Sequence, residues 1–249
     1  MKNLLKIFLI LSIISSIMYC SEPEELIQDN IQIHFNHIAN ENPIIFNSLI
    51  NTTSSGQNYS VINLFYIISD ISLTDEEGNV LENIAETHFV TSSDTNSYKL
   101  FIPEKITKGN YANIEFVFGL NSIKNISNQF LNDNFHLQMF WPEFMGGGYH
   151  YMKLEGKYNN DSNFYATHTG GLNGTDYSIR KSFPLNLNSC ENGKTHNIQI
   201  TMDINNWYNN PNEIIITSDG IMNNELLQQQ LMENGFEDVF KVSLINVEE

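Results

Sequence analysis

Apolar and polar residues alternate with a period of two along most of this chain, the spacing of strands that bury one face. In IQIHFNHIA, Ile31, Ile33, Phe35 and His37 share a face. SVINLFYIISDISL (60–73) reads as a longer apolar strand, and Asp75-Glu76-Glu77-Gly78-Asn79 behind it has the chemistry of a hairpin turn. In KGNYANIEFVFGL, Lys108-Gly109-Asn110 turns, and Ala112, Ile114, Phe116 and Phe118 then alternate with polar neighbours. The same pattern predicts strands at 135–141, 149–158, 163–169 and 196–204, with another at 213–217. One segment has helical spacing: Asn223 or Asn224 as cap, Leu226, Leu227 and Leu231 on one side, and Gly235 where a C′ glycine belongs. Many strands and one late helix predict an all-β fold, an antiparallel β-sandwich with one short C-terminal helix.

The first residues break the alternation. Lys2 and Lys6 precede an apolar run from Ile7 to Met18 that is too short for a membrane-spanning helix and is placed like a signal peptide. Cys20 closes the run and resembles the lipobox of bacterial lipoproteins, in which the signal is cut before the cysteine and lipid is attached there. Tyr19 stands where that pattern usually has a small residue, and an ordinary secretory signal cut nearby is the alternative. The chain thus divides into a signal peptide (1–19), a lipidated N-terminus and tether (20–30) and a single domain (31–249). The implied location is the cell envelope, in the periplasm or at the outer membrane or cell surface, with membrane contact through the lipid anchor only.

Composition then removes several functions. With Cys20 lipidated, Cys190 has no partner for an internal disulfide. The core must therefore hold the fold, and about 230 residues suffice for that. The net charge of −17 argues against nucleic acid and against charge-driven binding to anionic lipid. Phosphate-loop, dinucleotide-binding, HExxH and GxSxG signatures are all missing, and no nucleophile–base pair or acid/base dyad stands out, so a binding protein is expected rather than an enzyme.

Histidine is the informative residue type, because imidazole is a common ligand for transition metals near neutral pH. Of the seven, His37, His150 and His168 fall on apolar faces near predicted strand ends. His37 goes with Ile31, Ile33 and Phe35, His150 with Met152 and Leu154, and His168 with Phe164 and Ala166. His196 passes the same test beside Ile198, Ile200 and Met202, His136 goes with Gln138, His34 faces away from His37, and His88 reads as a loop residue. A satisfied core histidine is the competing reading at each inward position. In MFWPEFMGGGYHYMKLEG, three glycines run into Tyr149-His150-Tyr151, which fits a tight corner after Trp141 or a close approach to a ligand.

Four blocks together resemble the MbnP-like copper-binding family, first recognised beside methanobactin copper-acquisition genes. They are SVINLFYIISDISLTDEEGN, KGNYANIEFVFGL, MFWPEFMGGGYHYMKLEG and FYATHTG, in the family's order, and GIMNNELLQQQLMENGFEDVF has the look of one branch. The resemblance implies a secreted β-sandwich that binds copper for capture, storage or delivery, with zinc as the other candidate ion. It places His168 on the family's His-x-Gly position and Trp141 on its Met-x-Trp position. Some members use two histidines and a tryptophan oxidised to kynurenine, made by a partner di-haem enzyme of the peroxidase type. The Asn-His pair that many members carry after the F-x-x-G strand is replaced here by GLNSIKNISN, so His150 or His37 is the substitute ligand. The expected metal set is His168, His150 and His37, with Trp141 as a modified or site-lining aromatic. The rival reading is a non-metal interaction module, adhesin-like, at the cell surface.

Overall fold

A computed structural model describes residues 29–189 and 193–248. The signal peptide, Cys20, most of the tether and Cys190 lie outside the described residues. Ten longer strands carry the fold: β1 (Asp29–Ala39), β2 (Asn63–Thr74), β3 (Val80–Thr91), β4 (Lys99–Ile106), β5 (Gly109–Phe118), β6 (His150–Lys157), β7 (Phe164–Gly170), β8 (Ile179–Ser189), β9 (Thr195–Asp203) and β10 (Phe240–Glu248). One sheet has the order β10-β9-β1, with β4 and a two-residue strand also paired to β1. The other runs β7-β6-β2-β5-β8, with β3 on the free side of β2. Pairing is antiparallel except for β1 with β9, which run parallel from Asn30↔Thr195 to Ile38↔Asp203. The all-β sandwich is as the alternation predicts.

The core lies between the sheets. Ile31, Ile33 and Phe35 meet Ile198, Ile200, Met202, Tyr66 and Phe118, all nearly sealed from solvent. Burial of each such aliphatic or aromatic side chain is worth about 1.5–3 kcal/mol. Phe118 packs tilted against Trp207 at 5.1 Å and Phe240 at 5.2 Å between ring centroids.

The late helix, α1 (Glu225–Asn234), is capped by Asn224, whose Oδ1 accepts from the Leu227 amide at 3.1 Å. Gly235 is not the left-handed stop that its position suggested. Its φ is −62°, and the chain continues into a wide turn, Gly235–Val239. Glycine is required there because a Cβ would lie 2.5 Å from the Trp207 ring. No helix among the described residues is long and apolar enough to cross a membrane.

Two predicted strands are absent. Residues 135–141 are turns with a single bridge, Phe140↔Tyr149, and belong to a long loop between β5 and β6. Their alternation reflects Phe135, Met139 and Trp141 folding under the loop, not a ladder. At 213–217 the backbone of Ile216 is satisfied by a side chain instead of a strand. Gln57 accepts from its amide at 2.7 Å and donates to its carbonyl at 2.9 Å. The pattern does not predict β4, β8 or β10, whereas β3 is the partner strand that the hairpin turn at 75–79 implies, paired with β2 down to Thr74↔Val80. β8 does alternate, with Phe183, Leu185 and Leu187 buried between exposed Ser182, Pro184, Asn186 and Asn188, but Pro184 reads against a strand.

Candidate functional site

The long loop is tied down before it reaches the glycines. Asp70 of β2 receives Lys124 at 2.6 Å and Asn121 at 2.8 Å, anchoring the loop's start. Asn125 then accepts from the Tyr149 amide, and Ser127 from the Gly148 amide, both at 2.8 Å. Gly146, Gly147 and Gly148 all have positive φ, and a Cβ on Gly147 or Gly148 would come within 2.5 Å of Ser127 or Asn125. The glycine run is therefore a crossing of two loop segments too close for side chains. It delivers Tyr149 and His150 into the start of β6.

Register decides where His150 points. Along β6 and β7, Met152 pairs with Thr169 and Lys153 with His168, but the ladder slips there and Gly170 pairs with His150. The extra residue is a β-bulge, which switches the side-chain face. His150 therefore leaves the side of Met152 and Leu154 and joins His168 on the outer face of the sheet. The two imidazole rings stand 5.1 Å apart between centroids at 82°. Trp141, from the loop, closes over them at 4.7 Å from His150 and lies on Gly170, where a Cβ would be 2.7 Å from its ring.

Hydrogen bonds fix the tautomers. The Met139 carbonyl can only accept, so His150 Nδ1 carries the proton across 3.2 Å. Nε2 of the neutral ring is left with a lone pair, buried and without a partner. The Glu155 carboxylate likewise receives His168 Nε2–H at 2.8 Å, so Nδ1 is the nitrogen left for a ligand. The hydrogen bond from His168 is the main cause that holds the Glu155 carboxyl low, at about 2, with Asn63 and Lys153 assisting. Burial, then the neighbouring His168, pushes His150 down to about 3, so it is neutral across the physiological range. Trp141 Nε1–H is also buried without an acceptor.

His168 does not share a core face as its parity suggested. Phe164 and Ala166, its companions, are exposed, and the core-facing residues of β7 are Tyr165, Thr167 and Thr169. The apolar side chains at alternate outer positions imitate a buried face. His88 lies in β3, not a loop; its ring stacks on Phe35 at 4.9 Å, and its Nε2 donates to the Ser97 carbonyl at 2.7 Å.

The structure does not bring His37 to the pair. It points between the sheets, where its Nε2 meets the Tyr66 hydroxyl at 2.9 Å and its ring packs on Tyr98 at 4.8 Å. No group of three or more metal-ligating His, Cys, Asp or Glu side chains occurs among the described residues. His196 is held by Asp29 at 2.9 Å, and His136 by the Tyr149 hydroxyl at 2.9 Å. The residues that sequence reasoning missed are Glu155 and Met139; the EG of the family-like block was the one available signal for Glu155.

Burial holds His37 down at about 4, below its ordinary 6.5. On acidification the unfolded chain takes that proton first, so the stability is fully present above pH 6.5 and is lost as pH falls toward 4. The slope from this residue is at most about 1.4 kcal/mol per pH unit. Denaturant unfolding at pH 7, 6 and 5 should show wild type losing stability, and His37→Gln, which keeps a partner for Tyr66, losing less by up to that amount per unit. Parallel slopes for the two proteins would contradict a neutral buried His37.

The MbnP family model matches residues 28–224, which include both histidines, Trp141 and Glu155. Among solved structures, MbnP from Methylosinus trichosporium superposes with a TM-score of 0.56 at 11% identity, covering 87% of this chain and 99% of that chain, a likeness of fold. No curated protein sequence gives a match. With most of its length accounted for by that family model, the chain belongs to the MbnP family.

Proposed function

We propose that this protein binds one copper ion between His150 and His168 and serves in copper capture, storage or delivery in the cell envelope, as a secreted protein anchored by lipid on Cys20. The observation that carries the reading is a pair of adjacent imidazoles, each with one nitrogen committed to a hydrogen bond and the other left to a ligand. Metal-bound histidines are oriented in this way, the second nitrogen donating to a carbonyl or carboxylate. Two imidazoles that share an ion at ~2.0–2.1 Å from each nitrogen have ring centroids roughly 5–6 Å apart, so the pair's spacing fits. Imidazole suits copper and zinc alike, and family membership favours copper. Trp141, beside the pair with an unsatisfied Nε1–H, is the residue on which a partner oxidase of the di-haem type would act.

The test is copper loading of the mature protein under reducing conditions, with metal analysis and X-ray absorption. One copper per chain with two imidazole nitrogens in its shell is expected. Sub-stoichiometric copper, or stoichiometric zinc in competition with copper, would overturn the assignment. A second reading, a surface interaction module, draws on the loop's exposed Ile123, Leu137 and Phe144, each more than 80% accessible.

A further inference from the structure

Strand β7 carries His168 and ends its sheet, so one edge of its backbone has no strand beside it among the described residues. At the site that edge is not bare. Gln228 of α1, 1% exposed, sends Nε2–H to the His168 carbonyl at 2.9 Å, and its Oε1 accepts from the Gly170 amide at 3.3 Å. A carbonyl at one residue and an amide two residues on are what a neighbouring strand would pair. The carboxamide reproduces a peptide group in that place, much as Gln57 does for Ile216. Its other Nε2–H reaches the Ile221 carbonyl at 3.2 Å, so the side chain is held from both sides.

The contact falls where β7 slips register between Thr169 and Gly170, the irregularity that brings His150 beside His168. Slipped, edge-strand backbone is weakly specified unless something pins it. We infer that Gln228 is a positioning residue for the metal site: it fixes the backbone of His168 and Gly170 and thereby the spacing of the two imidazoles. The inference rests on the copper reading for its consequence and on the hydrogen bonds for its geometry. It also gives α1 a role, since Glu225–Asn234 begins just past the family-matched residues.

The experiment compares Gln228→Met, which keeps the shape and loses both bonds, with Gln228→Glu, which keeps the acceptor and loses the donor. Leu231→Ala, a buried residue of the same helix, is the control for lost stability. Metal-free protein is read by the imidazole NMR signals of His150 and His168 and by hydrogen exchange at the Gly170 amide. Copper(I) affinity is read by competition with a chromophoric chelator. In Gln228→Met the imidazole signals should shift, the Gly170 amide should exchange faster, and affinity should fall about 10-fold or more, the scale seen when a group that orients a metal ligand is lost. Leu231→Ala, at an equal or larger loss of Tm, should leave all three close to wild type. Unchanged signals in Gln228→Met, or equal changes in Leu231→Ala at matched Tm, overturn the role. If Gln228→Met does not fold, Gln228→Glu is judged by the same criteria. If wild type takes up no copper, the copper reading alone fails, and the metal-free signals still decide the positioning role.

Discussion

Alanine at both His150 and His168 is expected to abolish copper uptake, with affinity down by well over 100-fold. Loss of a group that merely orients a ligand costs 10–100-fold, and these two changes remove the ligand atoms themselves. The arrangement leaves few substitutes. Glu155 and Lys153 are the charged neighbours on that face, and Glu155 already holds Asn63 at 2.8 Å. The single variants should each lose most of the affinity, because one imidazole cannot hold the ion where two are built to. His37→Ala should bind as wild type does, since its ring contacts are Tyr66 and Tyr98 inside the sandwich. Folding should survive in the double variant. The Met139 carbonyl keeps the residue-150 amide at 2.6 Å, and Glu155, which loses His168, keeps Asn63 at the partly exposed outer face. Metal analysis after loading, followed by chelator competition, measures all four proteins. Wild-type copper in the double variant would show that the ion sits elsewhere.

The sequence was informative where burial and periodicity coincide. The alternation in β1, β2 and β5 follows directly from one face packing on the opposite sheet, and the Asn224 cap is local chemistry. The site was legible only as a set of candidate residues. His150 and His168 were chosen by a parity that the structure does not keep: one is switched by a bulge, and the other lies on a face whose apolar residues are exposed. A bulge is an insertion in register between two strands, and a single chain read in order carries no record of its partner. The same limit applies to Glu155 and Gln228. Each looks like an ordinary polar residue until the fold sets it against His168, from the neighbouring strand in one case and from a helix far along the chain in the other. His37 shows the converse. Its parity was read correctly, and the face it shares is the core, where a tyrosine hydroxyl satisfies it.

Alanine at Gly156 should be the most damaging single methyl in the domain. Gly156 follows Glu155 in β6, and a Cβ there would lie 1.8 Å from the Ser60 carbonyl oxygen and 2.8 Å from its carbon. That oxygen cannot swing aside as a side chain would. It accepts the Tyr165 hydroxyl at 3.0 Å, and Ser60 is bonded to Lys157 both through its amide, at 2.8 Å, and through its hydroxyl, at 3.1 Å. Relief requires the 58–62 segment to part from β6, breaking those bonds in a buried setting. Overpacking of this kind typically costs 1–3 kcal/mol, so a backbone clash should reach about 3 kcal/mol or more. For a domain of this size that is a fall in Tm of roughly 10 °C. Gly170→Ala is the instructive comparison. Its Cβ would meet the Trp141 ring at 2.7 Å, a side chain where Gly156 meets backbone. It should lose less stability than Gly156→Ala and more copper affinity, because the ring it displaces packs on His150. Thermal unfolding and copper competition on the two variants separate these effects. A Gly156→Ala protein within about 1 kcal/mol of wild type would mean that the contact relaxes without breaking its bonds, and the argument from Ser60 would fail.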